Sequence, residues 1–344
     1  MSGLTVCVTG ASGFIAGQTI RALLEQGYNV RGTVRGDPDS VQYSYLRDLP
    51  QAERLSLLPA DLTQPDSFDA AIAGCDYVLH TASPFLLEVE NPQHELVDPA
   101  VNGTLRVLRA TQRADTVKRV ILTSSVAAIT DEPDSNRVFT EEDWNRKSSL
   151  TRNAYFYSKV MAERAAWDFM SSQHTGFDMV VLNPCVVIGK SLGPALNASN
   201  QLFRELLTGA FPGIMALNFC MVDVEDVARA HILAMENPDA EGRYICYSDA
   251  MTMAELVEFL RQQGYSASLP SRDLSAGWMS ALLRVLSYTQ SKGSGDFIRA
   301  RLGKTMRITN AKICAELGMT FRPVKDSVMA TVADLQKWGH VALD

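Results

Sequence analysis

Apolar positions in the first half of the chain change spacing in a regular alternation. Short runs rich in β-branched residues cover 4–9, 29–34, 55–59, 77–81, 119–124 and 179–183. Between them, apolar residues recur at helical spacing over 14–26, 66–73, 94–114 and 154–172. Continuous apolar runs of that length predict strands buried on both faces, and the intervening periodicity predicts helices that bury one stripe. Strand and helix in strict alternation predict an α/β fold, a doubly wound parallel sheet of the Rossmann type with helices on both faces.

From about residue 189 the alternation weakens and Pro/Gly punctuation rises, at Gly193-Pro194, Phe211-Pro-Gly213, Asn237-Pro238 and Leu269-Pro270. The expected organisation is a nucleotide-binding domain over 1–188 and a smaller, mainly substrate-binding C-terminal lobe over 189–344. Returns to the main sheet are expected near 219–247, where 221–231 reads as a capped helix and 242–246 as a strand. The stripe Trp278, Met279, Leu282, Leu283 and Leu286 has helical spacing and is expected to be a packed helix, with a substrate lid as the other reading.

With 344 residues, 46% hydrophobic and 21% charged, the chain has material for a large core. Its net charge of -7, from 32 basic and 39 acidic residues without a basic block, argues against a nucleic-acid partner. The acidic residues read as solvated faces. Six scattered cysteines without CxxC pairs read as reduced and structural. The apolar residues 4–8 are interrupted at once by a glycine turn, too short for a signal or a membrane span, so a cytoplasmic protein without membrane association is expected. The five histidines have no metal-ligand spacing and no metal site is expected; His80, inside an apolar strand, reads as a satisfied core residue. No Gly-x-Ser-x-Gly elbow supports a hydrolase.

Ligands of doubly wound sheets lie beyond the carboxyl ends of the strands. There the first strand runs into Gly10-Ala-Ser12-Gly13-Phe14-Ile15-Ala16 and a helix, where backbone amides suit a pyrophosphate. Ala16 replaces a third glycine, but a small residue still permits close packing of helix on strand. The second strand ends in Gly32-Thr-Val-Arg35 with no carboxylate for ribose hydroxyls, since Asp37 comes later. The planar guanidinium of Arg35 suits a 2'-phosphate, which favours NADP(H) over NAD; a solvated turn arginine is the plainer reading. Arg31, inside the strand, points elsewhere. Asp61-Leu62 falls at the adenine edge, although Asp61 also fits a helix cap, and Thr81-Ala82-Ser83 falls beneath the cofactor.

Tyr155 and Lys159 stand one helical turn apart in Asn153-Ala-Tyr-Phe-Tyr-Ser-Lys159. Carbonyl reduction needs a proton donor, and Tyr155 is the candidate. Bringing its pKa from about 10 to near 7 takes about 4 kcal/mol of preference for the phenolate, for which Lys159 and the oxidised nicotinamide are the available cations. Lys159 also reaches towards the nicotinamide ribose. Thr123-Ser-Ser125 ends the fifth strand; Ser125 is the candidate for holding the carbonyl oxygen, with Ser124 on the opposite face. Tyr157 points away from the lysine. Phe85, Leu86 and the 202–215 segment are candidates for an apolar substrate wall.

These motifs, together with Ala60-Asp-Leu62, His80-Thr-Ala-Ser-Pro84, Leu122-Thr-Ser-Ser125, Asn183-Pro184 and Glu241-Gly-Arg-Tyr-Ile-Cys246, occur in an order that resembles the extended short-chain dehydrogenase/reductases. The resemblance spans nearly the whole chain and is strongest to the dihydroflavonol 4-reductase and cinnamoyl-CoA reductase group. It implies a Ser125, Tyr155, Lys159 triad, NADPH held by the 10–15 turn and Arg35, and a nicotinamide flanked by Pro184 and Val187. Ala100 stands where many extended members carry asparagine, so no four-residue proton relay is implied. The 271–308 region is closer to bacterial or fungal reductases of varied aldehydes and ketones, so a flavonoid substrate does not carry over. The expected activity is NADPH-dependent reduction of a small-molecule aldehyde or ketone by a monomer or homodimer. A nucleotide-sugar epimerase or dehydratase of the same fold, or a non-catalytic NADP-binding sensor, are the alternatives.

Overall fold

The computed structural model describes residues 3–83, 89–265, 268–289 and 292–342. Seven parallel strands form the main sheet: β1 (Thr5–Thr9), β2 (Asn29–Val34), β3 (Leu55–Pro59), β4 (Tyr77–His80), β5 (Arg119–Thr123), β6 (Asp178–Pro184) and, later in the chain, β9 (Gly242–Cys246). Their order is β3-β2-β1-β4-β5-β6-β9. The order reverses beside β1, so the crevice at a doubly wound sheet's switch point opens next to the turn that follows β1. Val6, Cys7 and Val8 of β1 are fully buried, as a central parallel strand covered on both faces requires.

Helices Phe14–Glu25 and Val224–Glu236 pack together on one face, and Asp98–Ala114 and Ala154–Ser172 on the other. Each pair seals an apolar cluster against the sheet, one containing Ile20, Leu23, Val227 and Ile232, the other Val107, Leu108, Ala166 and Phe169. The return near 219–247 is present but begins differently. Residues 218–223 form a strand, β8 (Asn218–Asp223), and the helix starts at Val224, where the Asp223 carboxylate caps it by accepting from the Glu225 amide at 2.8 Å.

The second lobe is built on a three-stranded sheet in which β8 lies between β7 (Val186–Ile188) and β10 (Asp249–Thr252). Since β7 pairs with β8 and not with the main sheet, the chain changes lobe between Pro184 and Val186, slightly ahead of residue 189. Helices Ala198–Leu207, Met253–Gln262 and Val324–Lys337 contribute Phe203, Leu206, Leu256, Val257, Val328 and Val332 to this lobe's core.

Two sequence expectations in this lobe need correction. The helix Gly277–Leu286 forms, but its apolar stripe faces solvent: Trp278 is 70% exposed and Leu282 and Leu286 are nearly half exposed, while Leu283 only partly packs. Periodicity placed these residues on one face without saying what would cover it. Much of the 202–215 segment is core: Phe203, Leu206, Leu207 and Met215 are buried, and Leu202, Phe203, Leu206 and Phe211 close around a void of about 10 Å³, too small for a substrate.

Candidate active site

The turn after β1 is built as an anion cradle. Gly10 has φ +70°, and a β-carbon there would come within 3.0 Å of the Ala82 Cα; a β-carbon on Gly13 would meet the Gly10 carbonyl at 3.1 Å. The Gly10 amide donates to the Thr33 hydroxyl at 3.0 Å, and the Ala11 amide to the Thr33 carbonyl at 2.7 Å, which fixes the turn against β2. The helix beginning at Phe14 has neither a side-chain cap nor an acidic residue in its first turn, and Ser12 and Gly13 are exposed. Its amino terminus is therefore left to an external acceptor. These features fit a dinucleotide pyrophosphate.

Around that turn, Arg35 is exposed at the tip of β2, and its charge helps lower the Asp61 carboxyl. Arg31 is turned away, donating to the Ala71 and Ala73 carbonyls at 3.5 and 2.5 Å. The Asp61 carboxylate folds back onto Thr63, accepting from its amide and its hydroxyl at 2.7 Å each, which are the main causes of its lowered pKa. It acts first as a loop clasp, close to its expected alternative as a cap. The Leu62 side chain packs on Gly103, and its carbonyl accepts from Arg106. Thr81 donates to the Thr9 carbonyl at 2.5 Å, laying the 81–83 segment over the glycine turn.

His80 is a satisfied core residue. The Thr9 hydroxyl accepts from the Thr81 and Ala82 amides, so its own proton goes to the His80 Nδ1 at 2.8 Å. Burial pushes the His80 pKa down to about 3, and the nearby Lys159 charge adds to this.

Ser125 and Tyr155 come together. The Ser125 hydroxyl accepts from the Ala127 amide at 3.1 Å, which leaves its proton for the hydrogen bond to Tyr155. Lys159, almost wholly buried, lies with its Nζ 5.7 Å from the Tyr155 ring centre and donates to the Ser83 hydroxyl at 2.8 Å. The lowered tyrosine pKa expected from the sequence needs the cation of an oxidised nicotinamide as well as Lys159; the protein groups alone shift it the other way. Burial pushes the phenol up, against a smaller lowering from the Ser125 hydrogen bond. The lysine itself is pushed down to about 8 by burial, partly opposed by Glu163. Loss of hydration outweighs the attraction that spacing alone suggested.

The other strand-end residues separate. Ser124 faces away from Ser125, as alternation predicts, and donates to Glu163 at 2.5 Å. The Thr123 hydroxyl bonds the His231 Nε2 at 2.7 Å, so only its backbone remains for the crevice. His231 donates from Nδ1 to the Val227 carbonyl, and burial lowers its pKa to about 4. Pro184 ends β6, whereas Val187 points into the core beside Val222 and Val224. Phe85 and Leu86 lie outside the described residues.

Residues 6–248 match the NAD dependent epimerase/dehydratase family. The chain belongs to that family. Within it, the chain is similar to cinnamoyl-CoA reductase 1 of Arabidopsis thaliana, 40% identical over 346 aligned positions that cover 99% of this chain and 92% of that protein. It is also 38% identical to a bifunctional dihydroflavonol 4-reductase/flavanone 4-reductase of Malus domestica, over 78% of each chain. Among solved structures, Gre2 from Candida albicans in complex with NADPH superposes with a TM-score of 0.81 at 30% identity, covering 97% of this chain and 99% of that one. The Rossmann-type fold and the extended short-chain dehydrogenase/reductase resemblance are thereby borne out. Ser83, beside the Ala82 that packs on Gly10, accepts from Lys159, one helical turn from the Tyr155 that bonds Ser125, and on the same helix lies a buried carboxylate, Glu163, that was not singled out in the sequence. Its one sequence signal is position: Glu163 follows Lys159 by one helical turn, as Lys159 follows Tyr155.

Proposed function

We propose that this NADP-dependent oxidoreductase reduces the carbonyl of a small aldehyde or ketone to an alcohol with NADPH, Tyr155 giving the proton. The observation that carries this reading is the hydrogen bond between Ser125 and Tyr155, one helical turn from a buried Lys159 and beside an uncapped glycine turn. The named reductase relatives and the NADPH complex of a similar structure support it.

Bound NADPH supplies the hydride. Everything else falls to side chains of this chain. A carbonyl oxygen placed between Ser125 and Tyr155 accepts from both hydroxyls, so the serine orients and polarises it while the tyrosine protonates it. The phenol is protonated at neutral pH, so its proton is in place before the substrate arrives, and burial makes a neighbouring cation necessary for releasing it. Lys159 places a cation near the phenolate left after transfer and is held in position by Ser83. Arg35 at the β2 tip is the proposed partner of a 2'-phosphate, and the amides of Phe14 and Ile15 of the pyrophosphate.

The test is a titration of the purified protein with NADPH and NADH, followed by loss of nicotinamide absorbance on an aldehyde and ketone panel. Tyr155→Phe should lower turnover by about 10²–10⁴-fold and leave NADPH affinity nearly unchanged. Near-wild-type turnover in that variant would overturn the assignment. Binding without turnover on any carbonyl would favour the sensor reading, and turnover confined to nucleotide sugars the epimerase one.

A further inference from the structure

We propose that Glu163 is the positioning residue of this site, a buried carboxylate paired with Arg243 that locks the ends of β5, β6 and β9 to the catalytic helix behind Lys159. This inference rests on the proposed carbonyl-reductase reading, which it deepens. Tyr155, Lys159 and Glu163 are successive members of one i, i+4 stripe on the helix Ala154–Ser172. Glu163 is 1% exposed, and each of its oxygens has two partners.

Oε2 accepts from the Ser124 hydroxyl at 2.5 Å and from the Asn183 side-chain amide at 2.9 Å. The same Asn183 nitrogen donates to the Ser125 carbonyl at 3.1 Å, so the backbone of the serine that touches Tyr155 hangs from Glu163 through Asn183. Oε1 lies 2.6 Å from the Arg243 Nε and accepts from the Trp167 indole at 3.4 Å. Arg243, 7% exposed, extends the tie outward. Its Nη1 donates to the carbonyls of Glu141 and Asp143 at 2.8 and 2.6 Å, and its guanidinium lies 4.1 Å over the Trp144 ring.

A well-packed apolar group in place of a buried ion pair is often as stable as the pair. Stability alone therefore gives little reason for this pair, whereas geometry gives one: four segments distant in sequence meet at one carboxylate directly behind the catalytic lysine. The groups facing Lys159 are Tyr155 and Glu163 on its own helix and His80 and Ser83 from β4 and the loop after it. Arg243 of β9 stands behind Glu163. His80 is held neutral and the phenol protonated around neutral pH, so the attraction of Glu163 is what opposes burial at the lysine, with the Arg243 Nε 2.6 Å from that carboxylate.

The experiment follows Lys159 itself by NMR of the full-length, lysine-labelled protein, its resonance assigned by its loss in Lys159→Met. Glu163→Gln removes the anion and leaves the cation, so the Lys159 titration should move to lower pH, by about tenfold in proton affinity. Arg243→Gln leaves the anion unopposed and should move it to higher pH. The double variant should return close to wild type. Opposite signs from two substitutions that both break the one ion pair they share are not expected of a merely structural pair. Shifts of the same sign, or none in folded variants, would overturn the proposal. Should Glu163→Gln fail to fold, Arg243→Gln and the charge-free double variant still decide it. Because this readout needs no turnover, its failure is distinct from failure of the carbonyl-reductase reading, which the carbonyl panel tests on the wild-type protein.

Discussion

Replacing Lys159 with methionine should abolish reduction and, in the cofactor-free protein, raise stability. Burial holds this lysine at about 8 against an ordinary value of 10.5. At about 1.4 kcal/mol for each tenfold in proton affinity, that gap means the folded state disfavours the charged lysine by about 3 kcal/mol at neutral pH. Between about 8 and 10.5 the unfolded chain binds more protons than the folded one. Stability therefore rises with pH across that window as the buried charge is relieved.

Methionine keeps the stem, removes the charge and loses the hydrogen bond to Ser83, which offsets about 1–1.5 kcal/mol. Glu163 keeps Arg243 as its partner. The net gain is about 1–2 kcal/mol. With an unfolding entropy of about 2 cal/mol/K per residue, a chain of 344 residues should melt about 1–3 °C higher. Calorimetry of both proteins without cofactor, at neutral pH and near pH 10.5, checks this. The gap should shrink or reverse at the higher pH, where the folded wild-type lysine is neutral and the unfolded one is already half deprotonated. A lower melting temperature for Lys159→Met at neutral pH, or an equal gap at both, refutes the reasoning.

Two further outcomes follow from the same crevice. Arg35→Ala should weaken NADPH binding by about 10–100-fold, the loss of one charge-assisted contact, with little change for NADH; fluorescence titration with both cofactors decides it, and equal losses would remove Arg35 from the 2'-phosphate site. The rate of carbonyl reduction should fall as pH rises through about 8, where Lys159 loses its proton, and a profile flat to 10.5 would show that its charge is not used.

The main sheet was readable because each strand is a short apolar run bounded by polar or glycine residues. The bounds of β2, β3 and β9 coincide with the runs read from sequence. Where local signals compete, bounds shift: Met221-Val-Asp-Val reads as a helix start, yet Asp223 caps the helix from the end of a strand. Tyr155 and Ser125 were legible because a helical turn and a strand end have fixed geometry. Glu163 was not, since a lone glutamate on a helix has the same local signature whether solvated or buried, and its partners come from strands elsewhere in the chain. The exposed stripe of the Gly277–Leu286 helix failed in the opposite sense, a regular apolar period with no neighbour to cover it among the described residues.

The two central titrations bear on the protonation states from which the site starts. A tyrosine pushed up stays protonated at neutral pH but is a weaker acid, so giving up the proton that reduction consumes depends on a cation that stabilises the phenolate. Alcohol oxidation would start from the phenolate and reduction leaves it, so burial disfavours that state in both directions and the Lys159 cation matters to each. Lys159 is pushed the opposite way, yet at neutral pH it stays below its titration point of about 8 and remains largely charged. At neutral pH the cofactor-free site therefore already has the protonation states that reduction requires, a protonated phenol beside a charged ammonium. Deeper burial of Lys159 would remove its charge, and Glu163 is the group that opposes this, its attraction holding the lysine's pKa up. The same carboxylate that ties the strand ends together thus also helps keep the cation next to Tyr155, the proposed proton donor.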